Sequence, residues 1–272
     1  MKIDPTLSEW LNLFARWTHV FAGILWIGTT YFFTWLDGRL TEEEKESPDD
    51  AAEVWMVHSG GFYVVEKRKV PGARQLHWFR WEAAFTWLSG MFLLILMFYM
   101  GGGSGLVDVD VRDISGTAAI AVGLGTLVIA GIVYDVMVQS PLGRNEVVFA
   151  AVSYILVVGI AFGLCQVLSG RAAYIHVGAM FGTIMAANVW MHILPAQRKM
   201  IAATKEGKQP DAALAARAKL RSKHNTYMVV PVVFTMISNH FPVATYGSDY
   251  NWAVLSVLVL AGWGAAHFIR RA

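Results

Sequence analysis

The chain has 272 residues, 56% of them hydrophobic, with a mean hydropathy of +0.45, 22 basic and 20 acidic side chains, and 11 Trp, 15 Phe and 9 Tyr. That is too apolar for a soluble domain or a disordered chain, and the lone Cys165, inside an apolar run, excludes a disulfide scaffold. A net charge of +2 with no basic stripe interleaved with aromatics recommends no nucleic-acid partner, which leaves an all-α polytopic membrane protein in a lipid bilayer.

In chain order, the N-terminus does not read as a cleavable signal, because Asp4 and Glu9 follow Lys2 and the apolar stretch after them carries Arg16 and His19. A bilayer core needs roughly 20 apolar residues per helix. About seven segments qualify: 10–36, 82–100, 115–138, 147–168, 172–194, 226–244 and 250–269. The sixth is the weakest, with Pro231 inside it and Pro242 closing it, so a re-entrant segment there stays open. Loop 37–80 opens with an acidic turn and helix over Thr41–Glu53. It continues through a Gly60-Gly61 bend into a short strand and ends in an interfacial lead at Leu76–Trp81. Loop 195–225 contains a helix former beginning at Asp211, with basic residues late in it. Seven Lys and Arg in 37–80, one in 139–146, eight in 195–225 and two at the C-terminus make 18 on one side, against Lys2, Arg112 and Arg171 on the other. The positive-inside rule therefore sets the N-terminus outside, with loops 37–80 and 195–225 and the C-terminus cytoplasmic.

Ionisable groups inside a membrane are functional candidates. The topology puts His19, His176 and His240 in the outer half, His77, His192, His224 and His267 near the inner boundary, and His58 in a loop. Two tiers of imidazoles on facing helices resemble the ligand layout of membrane haem b, with His19, His176, His240, His192 and His224 as candidate iron ligands. Gly23 and Gly178 lie beside ligands where a porphyrin needs room, and Arg16 is placed to pair a propionate; glycines in membrane helices also serve plain helix packing. His176 to His192, and His224 to His240, span 16 residues each. In a regular helix that is ~24 Å of rise but roughly 160° of rotation, which puts the members on opposite faces.

The motifs Trp17-Thr-His19 through Gly28, Gly60-Gly61-Phe62-Tyr63, Leu76-His77-Trp78-Phe79-Arg80-Trp81-Glu82, His176-Val-Gly178, Asn188-Val-Trp190 with Pro195-Ala-Gln197, and Ser238-Asn239-His240-Phe241-Pro242 run the length of the chain. Together they resemble the membrane domain of the bacterial integral-membrane urate oxidases. The resemblance implies a multi-pass protein of the bacterial inner (cytoplasmic) membrane. It would oxidise urate to 5-hydroxyisourate and pass electrons through one or two haem b groups to cytochrome c. Family members typically end in a cytochrome c domain with a CxxCH motif. No such motif occurs here, so the expected cytochrome c is a separate protein or a further domain.

Urate oxidation needs a base, donors for carbonyl oxygens and aromatic faces. At the inner mouth these are His77, Glu82 and His224 as catalytic candidates, with Trp78 and Arg80 as binding candidates; at the outer mouth Arg16 and Asn239 are available. An inner urate site is the expectation. The alternatives are another haem b membrane oxidoreductase, acting on quinol or protoporphyrinogen, and a non-enzymatic ion or metal transporter. The sequence leaves the oligomeric state open.

Overall fold

A computed structural model describes residues 4–46, 52–68 and 76–271, and the chain is an all-α bundle with one small hairpin. Helix α1 (Pro5–Glu46) has 42 residues, about 63 Å, roughly twice the thickness of a bilayer core. It runs past the expected end at 36 because its last turns have something to pack against. Leu36 and Leu40 are buried with Ala52, Val54 and Val65 of the hairpin that follows.

The hairpin pairs β1 (Glu53–His58) with β2 (Gly61–Glu66) in antiparallel register, His58 opposite Gly61. Ser59 and Gly60 both have positive φ, the two-residue turn whose twist suits a hairpin. One strand was expected after the Gly60-Gly61 bend; a partner precedes it as well. Part of the acidic stretch before it, residues 47–51, lies outside the described residues, as does Lys69. Ion pairs from Asp37 to Lys219 (2.7 Å) and Lys67 (3.6 Å), and from Lys67 to Glu44 (3.2 Å), tie α1, the hairpin and the seventh helix together.

Helix α2 (Trp81–Leu94) continues through a wider π turn to Tyr99. Helices α3 (Gly116–Gln139), α4 (Glu146–Cys165) and α5 (Gly170–Ala187) each begin at a capping side chain, Ser115, Asn145 and Ser169 respectively, that accepts from a backbone N–H of the first turn. After α5 the chain passes through a second π turn, Asn188–Ile193, straight into α6 (Leu194–Lys205). Helix α7 (Ala212–Ile237) is capped by Asp211, and α8 is Asn251–Ile269. Loop 195–225 is therefore mostly helix, and the helix expected from Asp211 continues unbroken to Ile237, into the segment expected at 226–244.

Among the described residues, six helices are long and apolar enough to cross a membrane: α1, α2 with its π turn, α3, α4, α5 with α6, and α8. The seventh expected segment, α7, is the exception, because its first half carries Arg217, Lys219, Arg221 and Lys223. The bundle shelters it instead. Met228, Val229, Pro231 and Thr235 are buried, and a side chain at Gly262 of α8 would lie 2.9 Å from the Pro231 ring. Central to the bundle is α5, whose Ala172, Ala173, Tyr174, His176 and Val177 are all fully buried. Large apolar residues such as Trp17, Phe21 and Ile24 face outward, as lipid contact requires.

Candidate functional site

At the expected outer level the histidines part company. His19 reaches from α1 to α2, where Nδ1 meets the Thr86 carbonyl (2.9 Å) and Ser89 (3.2 Å), and a side chain at Gly90 would come within 2.8 Å of its ring. His176 is fully buried. Its Nδ1 bonds the Ala172 carbonyl (2.8 Å), its Nε2 meets the Tyr99 hydroxyl (2.9 Å), and Gly123 of α3 leaves just enough room for the ring. His240 lies beyond the end of α7 in a single 3₁₀ turn and is exposed. Arg16 is exposed and bonds Asn12 and the Met97 sulfur; Asn239 accepts from Arg171 (2.8 Å). The two glycines expected to make room for a porphyrin do other work. A side chain at Gly23 would make an ordinary contact with Thr86, whereas one at Gly178 would collide with Thr235, so Gly178 sets the close crossing of α5 and α7.

At the inner level α3, the second π turn and α7 converge on a buried polar network. Asp135 accepts from Arg221 (2.6 Å) and pairs with His192 (2.9 Å). Arg221 also donates to the Asn188 side-chain oxygen (3.1 Å) and lies over the Tyr134 ring (5.2 Å). Asn188 donates to the Tyr134 hydroxyl and to Asn225, 2.9 Å each, and Asn225 donates to the Met185 carbonyl (3.1 Å). Tyr134 in turn meets Nδ1 of His224 at 2.9 Å. Because its oxygen accepts from Asn188, its own proton goes to His224 Nδ1, which assigns the neutral imidazole proton to Nε2. Asn188, Arg221 and Asn225 are at most 4% exposed.

His192 reaches this network because of the π turn. In a regular helix His176 and His192 would point to opposite faces, yet both meet α3, one at Gly123 and the other at Asp135. The wider turn at 188–193 takes up about one extra residue, which rotates the helix beyond it back by roughly 100°.

His224 and Tyr134 also line a cavity of about 1450 Å³, open on one side, between α3, α4, α5, α7 and α8. On α3 it runs from Ala121 to Met137, about 24 Å along the helix. Its inner end is polar and aromatic. Phe149 stacks on the His224 ring (4.8 Å, 10°), and Tyr227 meets His267 Nδ1 (3.1 Å). Lys223 pairs with Glu146 (2.7 Å), and Arg270 donates to Thr226 (2.7 Å) beside the Tyr227 ring. Nε2 of both His224 and His267 has no protein partner among the described residues. Tyr134, Tyr227 and Arg270 escaped the sequence reading. The 134–224 and 227–267 pairings are long-range and leave no spacing signal.

The other inner-mouth candidates lie apart from this cavity, at the start of α2. His77 is exposed and edge-on to Phe79 (4.5 Å), and Trp78 packs against the Ala83, Val189 and Leu194 cluster. Arg80 lies over Trp81 (5.2 Å); its Nε and the Glu82 Oε2 are buried without a partner.

Within this cavity haem b finds no pair of facing imidazoles. His19, His176, His240 and His192 do not line the cavity, and Nε2 of His176 is already engaged by Tyr99. The two histidines that do line it, His224 and His267, come from α7 and α8, which pack directly through the Tyr227–His267 hydrogen bond, so no plate passes between them.

Comparison with curated proteins and with solved structures gave no match. The family model described as urate oxidase N-terminal matches residues 5–272, nearly the whole chain. A bundle of membrane-length helices enclosing a cavity with an aromatic, hydrogen-bonding and cationic end is thus found in a chain that belongs to the urate oxidase N-terminal family.

Proposed function

We propose that this chain oxidises urate to 5-hydroxyisourate at the inner end of the cavity. Family membership supports urate oxidase chemistry, and with it an oxidoreductase. The observation that carries the location is that one end of an otherwise apolar cavity is lined by two imidazoles, each hydrogen-bonded to a tyrosine hydroxyl, by the Phe149 and Tyr227 rings, and by Arg270 beside the Lys223–Glu146 pair. Urate at neutral pH is a flat monoanion rich in carbonyl and N–H groups. The aromatic rings offer it faces, the cations offset its charge, and His224 donates Nε2–H to a carbonyl oxygen.

The Tyr134–Asn188–Arg221 chain behind His224 fixes that tautomer. This scheme uses the His267 tautomer that donates Nδ1–H to the Tyr227 oxygen, so that Nε2 takes a urate proton. Loss of two electrons leaves an oxidised ring to which water adds at C5. The haem b relay implied by the resemblance is given no step in this scheme, since no facing pair of the expected iron ligands lines this cavity. Cytochrome c, the implied acceptor, belongs among the acceptors to be tried.

One observation favours a second place for urate: the unpartnered Arg80 Nε and Glu82 Oε2 between Trp78 and Trp81. Steady-state urate consumption by the purified chain, with ferricyanide or cytochrome c as acceptor, separates the two. His224→Ala and His267→Ala are expected to lower kcat about 100-fold or more, and Tyr134→Phe about tenfold, while Arg80→Gln leaves the rate near wild type. Full activity in His224→Ala and His267→Ala, with loss in Arg80→Gln, would move urate to the start of α2.

A further inference from the structure

The β1–β2 hairpin carries more apolar surface than its packing uses. Val54 and Val65 pair across the strands and rest on Leu36 and Leu40 of α1. Successive residues of a strand point to opposite sides, so Trp55, Val57 and Phe62 fall on the other face, where they are 66%, 69% and 82% exposed. Tyr63, on the same face as Val65, is nonetheless 51% exposed. The run between Glu53 and Glu66 contains no Asp, Glu, Lys or Arg. Charges gather at the open end of the hairpin instead, where Lys67 pairs with Asp37 and Glu44, and Arg68 with Glu66 (2.7 Å).

Helix α1 shows which way the uncharged end points. The open end lies at Leu36 and Leu40, whereas Trp55, His58 and Tyr63 share a cleft with Phe32 and Trp35. The hairpin therefore runs back along α1, toward its membrane-length apolar part. Phe32 is four residues, about 6 Å, further in than Leu36. A second marker gives the same level: the Phe33 ring meets Phe79, in the interfacial lead to α2, edge-on at 5.0 Å. A protein partner would cover one face of a hairpin, but here both faces expose apolar groups at the level where α1 turns aromatic residues to lipid. Burial in hydrocarbon is excluded, because the two outer edges carry unpaired backbone groups and the turn holds His58 and Ser59. The headgroup–acyl boundary, about 5–10 Å deep, accepts both the polar turn and the aromatic flanks.

We propose that the hairpin is a lipid-binding paddle, which dips Trp55, Val57, Phe62 and Tyr63 into the headgroup–acyl boundary beside Phe32 and Trp35, in the leaflet on the side of the basic loops. What it recognises is the apolar part of the lipid and not a headgroup charge, since Lys67 and Arg68 are already paired with carboxylates of the same chain. The inference is independent of where urate binds.

The test uses the full chain in phosphatidylcholine nanodiscs with a nitroxide attached to one introduced thiol. Cys165, the only native cysteine, is buried and stays unlabelled. Phe62→Cys reports on the paddle and Glu43→Cys, exposed at the far end of α1, on the aqueous side. Collisional relaxation by oxygen, which concentrates in lipid, is compared with relaxation by a water-soluble nickel chelate. The oxygen-to-nickel ratio is expected to be several-fold higher at position 62 than at 43, and unchanged when anionic phosphatidylglycerol is added. Val57→Cys gives a second probe of the same face and carries the test if the Phe62 variant does not fold. Equal ratios at both ends would put the hairpin in water and overturn the proposal. A label screened from oxygen and nickel alike would overturn it in favour of a protein partner, a second copy of this chain included. A high ratio only with anionic lipid would replace apolar insertion by charge attraction.

Discussion

Asp135 faces both the buried Arg221 and His192. Arg221 is 4% exposed, and its guanidinium is tolerable there because a carboxylate, an amide oxygen and an aromatic face surround it. Removing the carboxylate charge leaves a buried cation short of its counter-ion. Asp135→Asn is expected to cost about 2 kcal/mol, less than a fully buried pair because Asp135 is itself partly exposed. Thermal unfolding in detergent would register this as a midpoint several degrees lower, and an unchanged midpoint would show that Arg221 is held by its other partners. At this scale the sequence was partly legible. His224 stands out as an ionisable group near a membrane boundary, but Tyr134 and Tyr227 look like ordinary interfacial or packing tyrosines. What gives them a role is the hydroxyl-to-imidazole contacts across 90 and 40 residues of chain, which only the fold creates.

Among the elements, the π turn at Asn188–Ile193 decides which face of the α5–α6 helix carries the polar residues. Helical periodicity located α5 well, because a run of apolar and small residues at membrane length is a strong signal. The same periodicity misassigned His192, since a local change from i→i+4 to i→i+5 bonding has no compositional mark. Deleting Met191, which is 69% exposed and makes no polar contact, should restore a regular helix and turn His192 by roughly 100° away from Asp135. The expected outcome is loss of the His192–Asp135 pair and a several-fold fall in urate turnover with the helix content of the circular dichroism spectrum retained. Undiminished turnover would mean that the turn serves packing alone. Helix α7 was the least legible element. Its basic first half reads as a loop and its second half is short, and only burial by α5 and α8 makes one continuous helix of them.

For the molecule as a whole, the described residues form six apolar helices and a sheltered α7, and α3, α4, α5, α7 and α8 among them line a cavity whose charges sit at one end. That end is the side to which the basic loops point. Charge asymmetry and span length made the architecture readable from sequence, whereas the cavity depends on how α3 and α4 diverge around α5, which local patterns do not encode. The central claim is that urate binds where His224, His267, Phe149 and Arg270 meet. Electron cryomicroscopy of the purified chain in nanodiscs with saturating urate tests it most directly. The account predicts a flat density beside the Phe149 and Tyr227 rings, within hydrogen-bond reach of His224 and His267 and near Arg270. Urate density between Trp78, Arg80 and Glu82, or at the outer face beside Arg16 and Asn239, would contradict it.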